Sequence, residues 1–116
     1  MTELTILLVE ENLLMAAALE QVLSTSGHEV VMVSDGSAAL KVLEERDVDV
    51  ILNDIDLAEM EGVAMYESLP CDMQRRVIFL AGALSQHAVP PGARLLQKPS
   101  RGVLLRQAVQ QVAAAA

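Results

Sequence analysis

The run Val48-Asp49-Val50-Ile51-Leu52 constrains this chain more than any other stretch. It is rich in β-branched residues and too short for an ordinary helix. It reads as a strand buried on both faces, as strands of parallel sheets are. The run stops at Asn53-Asp54-Ile55-Asp56, so carboxylates emerge where the strand runs out. Open parallel α/β sheets bind ligands outside the carboxyl ends of their strands. Asp54 and Asp56 are therefore candidate site residues rather than ordinary solvated acids.

The rest of the chain repeats the pattern. Leu4 to Val9 is a second apolar strand signal ending in acids, Glu10-Glu11. Asn12 is placed to cap a helix whose apolar positions Leu14, Ala18, Leu19, Val22 and Leu23 fall on one face. Ser26-Gly27 closes that helix, the glycine supplying a left-handed stop. Val30 to Val33 is the next strand, and Asp35-Gly36-Ser37 turns the chain into a short helix, Ala38 to Glu45, with Leu40 and Leu43 inward. The third strand, Val48 to Asn53, leads through a glycine-ended loop to a helix over Val63 to Leu69. Pro70-Cys71-Asp72 breaks that helix. Val77 to Leu80 and Ala93 to Gln97 complete five strands, the last reading as buried and ending at Lys98-Pro99. A final helix starts near Ser100 and runs through Leu104, Leu105, Val109 and Val112.

Strands alternating with helices predict an α/β, doubly wound, five-stranded parallel sheet with right-handed crossovers. Between the last two strands lie only Gly82 to Gly92, interrupted by Pro90-Pro91. A crossover with its helix needs at least about 10–12 residues. The fourth crossover helix, around Ala83 to Ala88, is therefore expected to be short or irregular.

The 116 residues fit a single domain, 1–116, and 53% apolar content suffices for one core. With Tyr66 and Phe79 the sole aromatics, that core must be aliphatic, and the six methionines fill it. A net charge of -8 opposes non-specific binding to nucleic acid or to an anionic membrane. No apolar run reaches membrane-spanning length, and Met1-Thr2-Glu3 lacks the basic start of a secretory signal. The single Cys71 leaves no internal disulfide and fits a reducing, cytoplasmic setting. Cys71 reads as structural, and His28 and His87 as surface or packing residues.

Glu10 and Glu11 end the first strand, Asp54 and Asp56 the third, and Lys98 the fifth. If the first and third strands are neighbours, three or four carboxylates surround one crevice and raise one another's pKa values. A divalent cation or a nearby ammonium relieves that strain. Oxygen ligands suit magnesium, which keeps several waters and often completes its shell with a phosphate. Lys98 suits a phosphate oxygen as a point charge. Together these groups describe a site for phosphoryl transfer onto a carboxylate.

The residues Leu7-Leu8-Val9-Glu10-Glu11-Asn12, then Asp54 followed by Met60-Glu61-Gly62, then Leu96-Gln97-Lys98-Pro99, come in the order and on the strands of a known family. Over nearly its whole length the chain resembles the receiver domain of bacterial two-component signalling proteins. The resemblance implies a flavodoxin-like sheet of strand order 2-1-3-4-5. It implies that Asp54 accepts a phosphoryl group from the phosphohistidine of a histidine kinase or histidine phosphotransfer domain. Glu11, with Glu10 helping directly or through water, would hold Mg2+ alongside Asp54 and the backbone carbonyl of Asp56. Lys98 would bind a phosphoryl oxygen, and the Lys98-Pro99 bond would be cis. A receiver relays a phosphoryl group and is not a turnover enzyme.

The departures from that family are as informative. Ala81 stands where a Thr or Ser usually ends strand four, and Leu95 where an aromatic usually precedes the lysine. Both parts of the usual rotamer switch are missing. The acidic pair is Glu-Glu, proline is missing at Ala58, and Ser100 replaces the common aromatic after Lys98-Pro99. The stretch from Pro91 to Pro99 looks most like receivers at the C-terminal end of hybrid histidine kinases, with a stand-alone receiver next. A degenerate receiver acting by protein contact without phosphate is a second reading. A third is a haloacid-dehalogenase-type phosphatase, because Asp54-x-Asp56 after an apolar strand matches that motif, though there it usually lies near the start of a longer chain. The apolar stripe of the last helix also serves the core, so it assigns no oligomeric state.

Overall fold

The sheet is built so that alternate residues of each central strand feed two different cores. The computed structural model describes residues 3–57, 62–82, 85, 88–98 and 101–115. Among these the elements are β1 (Thr5–Val9), α1 (Leu13–Thr25), β2 (Glu29–Val33), α2 (Gly36–Glu45), β3 (Val50–Asp54), α3 (Gly62–Glu67), α4 (Cys71–Gln74), β4 (Val77–Ala81), β5 (Arg94–Gln97) and α5 (Gly102–Ala115). All pairings are parallel, in the order β2-β1-β3-β4-β5. This is the flavodoxin-like arrangement expected.

Successive side chains of a strand point to opposite faces. Ile6, Leu8, Val50, Leu52, Ile78 and Leu80 accordingly join Leu19, Leu23, Leu105, Val109 and Val112 on the α1–α5 side. Leu7, Val9, Ile51, Val77 and Phe79 join Ala39, Met65 and Leu69 on the α2–α3 side. Every residue of β3 and β4 is buried. The strands are therefore pinned, since a one-residue slip would exchange the two cores.

Several local expectations hold. Asn12 Oδ1 accepts from the Met15 amide at 3.0 Å, and Asp35 Oδ1 from the Ala38 amide at 2.8 Å, so both side chains cap their helices. Gly27, at φ +89°, makes the left-handed stop after α1. His28 is buried, its Nδ1 accepting from the Leu4 amide at 3.1 Å, which makes it a packing residue.

Others need correction. Leu14 is 85% exposed and Ala18 is exposed, because the inward stripe of α1 runs through Ala16, Leu19 and Leu23. β5 is mostly exposed, since it closes the sheet as an edge strand with one neighbour. Pro70 ends one helix but also starts the single turn of α4, and Cys71 is exposed there. Leu104 of α5 is likewise exposed. In the β4–β5 connection no described residue is helical, whereas Ala83, Leu84 and His87, like Ala58, Met60, Glu61, Pro99 and Ser100, lie outside the described residues.

One glycine is required by close approach. A Cβ on Gly62 would stand 2.6 Å from the Asp54 carbonyl oxygen and 2.8 Å from Ile55 Cα, both backbone atoms. The start of α3 thus lies directly on the end of β3. Gly62→Ala is expected to lower stability by about 1–3 kcal/mol through overpacking, read as a lower urea midpoint. An unchanged midpoint would show that α3 can lift off β3 without cost.

Candidate functional site at the carboxyl rim of the sheet

The register brings the ends of β1, β3 and β5 to one rim. Val9 pairs with Asn53, Asp54 with Leu80, and Ala81 with Gln97. The next residues continue the ladder: the Glu10 amide donates to the Val33 carbonyl at 3.0 Å, and the Lys98 amide to that of Ala81 at 2.8 Å. Lys98 leaves the edge strand, and its side chain must cross the end of β4, where Ala81 stands, to reach the acids.

There its Nζ lies 2.8 Å from Glu10 Oε1 and 3.2 Å from Asp54 Oδ2. Both acids are almost fully buried, Glu10 at 2% and Asp54 at 3% exposure. The second oxygen of each is also engaged. Glu10 Oε2 accepts from the Asn12 amide at 3.3 Å, and Asp54 Oδ1 from the Asp56 amide at 2.9 Å. One ammonium between two buried carboxylates leaves a negative charge over. Burial first, and then the nearby Asp54 carboxylate, push the Glu10 carboxyl above its ordinary value, against the lowering pull of Lys98. Burial alone would lower the Lys98 ammonium. Its hydrogen bond to Glu10 and the charges of Asp54 and Glu10 outweigh that and raise it.

The other expected site residues are placed less centrally. Glu11 is exposed on the bend after β1, while Glu10 is the acid turned into the crevice. Asp56 stands just beyond β3, its carboxylate Oδ1 accepting from the Ser85 hydroxyl at 2.8 Å. Ala81 is buried at the end of β4, and Leu95 is 53% exposed on β5. Pro99 lies outside the described residues.

Two contributors escaped the sequence reading. Asn53 is fully buried, and its amide donates to the Gly62 carbonyl at 3.0 Å, tying the start of α3 to β3. Its polarity inside an apolar run was the available signal. Ser85 gave none, because the sequence from Gly82 to Gly92 has no periodic pattern to mark which side chain turns inward.

The donor set fits a hard divalent cation. It consists of oxygens, carries excess negative charge, and places the buried Glu10 and Asp54 carboxylates within reach of one ammonium. Among the described residues no group of three or more His, Cys, Asp or Glu side chains could hold an ion. A cation at the rim would have to draw its other ligands from backbone and water oxygens, and magnesium usually retains several waters.

Fold and rim together define a doubly wound α/β domain with an acid–lysine–acid site at the carboxyl ends of its strands. Residues 6–110 match the response regulator receiver domain, and the chain belongs to that family. Receiver domains are signalling modules of two-component systems that work with histidine kinases and phosphotransfer proteins, and they generally bind Mg2+ at the phosphorylation site. The signal receiver domain of a signal transduction histidine kinase from Syntrophus aciditrophicus is similar, with 26% identity over 97% of this chain and 91% of that one, at a TM-score of 0.81. A sensor protein from Polaromonas sp. JS666 shares the fold at a TM-score of 0.85 and 20% identity, over 98% of each chain. Probable histidine kinase 1 of Oryza sativa subsp. indica is 34% identical over 58 residues, which is 50% of this chain and 6% of that protein. No helix among the described residues is long and apolar enough to cross a membrane.

The raised Glu10 carboxyl has a stability consequence with a definite sign. A folded-state value above the unfolded one means extra proton binding when folded, so this contribution is present at low pH and lost as pH rises through the raised value. In metal-free buffer, Glu10→Gln keeps an acceptor for Lys98 and removes the charge. The variant should match wild type near the ordinary glutamate range and have the higher urea midpoint at pH 7. A lower midpoint at pH 7 would mean that the Lys98 pairing outweighs the crowding of the two acids.

Proposed function

We propose that this chain is a single phospho-accepting receiver domain whose Asp54 takes a phosphoryl group from the phosphohistidine of a histidine kinase or phosphotransfer domain. The observation that carries the reading is the ammonium of Lys98 held against both Glu10 and Asp54 at the strand ends. An oxygen of the Asp54 carboxylate forms the new O–P bond while the P–N bond to the donor imidazole breaks, its electron pair returning to the ring nitrogen. Lys98 serves first to hold the two acids together. It then offers its charge to a phosphoryl oxygen.

Asp54, Glu10 and the Asp56 backbone carbonyl would hold Mg2+, with the exposed Glu11 reaching it at most through water, and the ion would supply charge neutralisation at the transferring group. The domain relays the group and performs no sustained turnover. Its similarity to a plant and a bacterial histidine kinase supports a place within a hybrid histidine kinase. The stretch from Pro91 to Pro99 favours the C-terminal end of such a protein, and the single Cys71 a cytoplasmic setting. With Ala81 unable to donate a hydrogen bond and Leu95 half out in solvent, switching runs by an atypical route.

Incubation with Mg2+ and acetyl phosphate should add one phosphoryl group by intact mass, absent in Asp54→Asn. Lys98→Ala should slow its appearance by about 10²-fold, the usual loss on removing one preorganised charge stabiliser. Failure to form an adduct with acetyl phosphate or with a phosphorylated histidine kinase would instead favour signalling by contact alone, the reading that the missing Ala81 hydroxyl supports.

A further inference from the structure

Ser85 stands in the β4–β5 connection, and its hydroxyl donates to Asp56 Oδ1 at 2.8 Å. Asp56 in turn donates its amide to Asp54 Oδ1 at 2.9 Å. The Ser85 amide donates to the Gly82 carbonyl at 3.1 Å, which anchors the residue to the end of β4. A two-bond path thus joins the phosphorylation candidate to the segment leading into β5, in a chain whose strand-four end offers only the methyl of Ala81.

We propose that the Ser85 hydroxyl is the coupling group of this domain, held by Asp56 before phosphorylation and passed to a phosphoryl oxygen on Asp54 afterwards. The inference rests on the phosphorylation of Asp54 proposed above. A hydroxyl has one proton to donate, so it serves one strong acceptor at a time. A phosphoryl group brings nearly two negative charges and three strong acceptor oxygens to a loop where Asp56 offers a single carboxylate. The denser charge attracts the hydroxyl more strongly. Ser85 precedes the segment that leads into β5, so a change in the partner of its hydroxyl changes how the residues that follow, Ala88 and Val89, are held. Ser85 acts here as a positioning residue, since it reports on the phosphoryl group and leaves bond formation to Asp54.

The test is amide hydrogen exchange on the whole chain, with and without Mg2+ and acetyl phosphate, the adduct being weighed in the same samples. In wild type, exchange at Ser85, Ala88 and Val89 should change by about tenfold on phosphorylation, the scale of one charge-assisted hydrogen bond. Ser85→Ala should still take up the phosphoryl group, with that change reduced to less than about twofold. Ser85→Thr, which restores the hydroxyl, should restore the change. A phosphorylated Ser85→Ala showing the full wild-type response would overturn the coupling role and leave the Asp54 reading intact. A wild-type chain that takes up no phosphoryl group removes that reading, and the coupling role with it.

Discussion

Lys98 between two buried carboxylates is the interaction on which the rest of the structure depends. Glu10 and Asp54 would repel each other in a low-dielectric crevice, and burial by itself favours the neutral form of Glu10. The ammonium makes the pair tolerable without neutralising it fully. A site left with surplus negative charge is one that gains from a cation or from losing a charge to chemistry. Such a cluster contributes little to stability by itself, since desolvation cancels much of the attraction in a buried ion pair. Its presence at the rim of a well-packed sheet is better explained by what surplus charge can attract.

The hydrophobic interior sets the positions of these charges. Alternation along β1, β3 and β4 divides their side chains between two cores, and that division fixes register. Once Leu52 faces one core and Ile51 the other, Asp54 can only appear where β3 ends beside Leu80. Asn53 and Gly62 then secure the start of α3 against that strand end. The amide of one holds the carbonyl of the other, and the missing Cβ lets the helix rest on the strand. The geometry of the acids is thus a product of aliphatic packing carried to the rim by a few polar contacts.

Much of this was legible in the sequence because each signal had one dominant physical cause. Short β-branched runs named the strands, and strand ends named Asp54, Lys98 and the pair Glu10-Glu11. The features that stayed open depended on neighbours. Leu14 looks inward by spacing, yet it shares the outward face of α1 with Ala18, because the packing of the helix on the sheet selects the stripe through Ala16, Leu19 and Leu23. β5 reads as buried from Leu95-Leu96, but an edge strand is covered by a partner on one side only. Between Glu10 and Glu11, spacing could not say which side chain turns inward, because the bend after β1 decides it. Ser85 depends on the path of a loop that proline and glycine shape without any periodic pattern.

The substitutions at positions 81 and 95 bear on what such a domain can transmit. A bound group shifts a conformational equilibrium only through its different affinity for the two states. In a receiver with a hydroxyl at the end of strand four, that difference comes partly from a donor that reaches the phosphoryl group in one state alone. Ala81 removes the donor, and Leu95, half exposed on the edge strand, offers no ring to take a second position. On the proposed reading any coupling free energy arises elsewhere, because chemistry at Asp54 without differential contacts would change charge and little else. Among the contacts that link the end of β3 and the loop after it to the far side of the sheet are Lys98, reaching across β4 to Asp54, and Ser85, bonded to Asp56. Lys98 is held by Glu10 as well as by Asp54, which favours a lysine that stays in place when the acid is modified. A neutral hydroxyl on a carboxylate is the more easily exchanged partner, and it sits on the segment whose position would have to change.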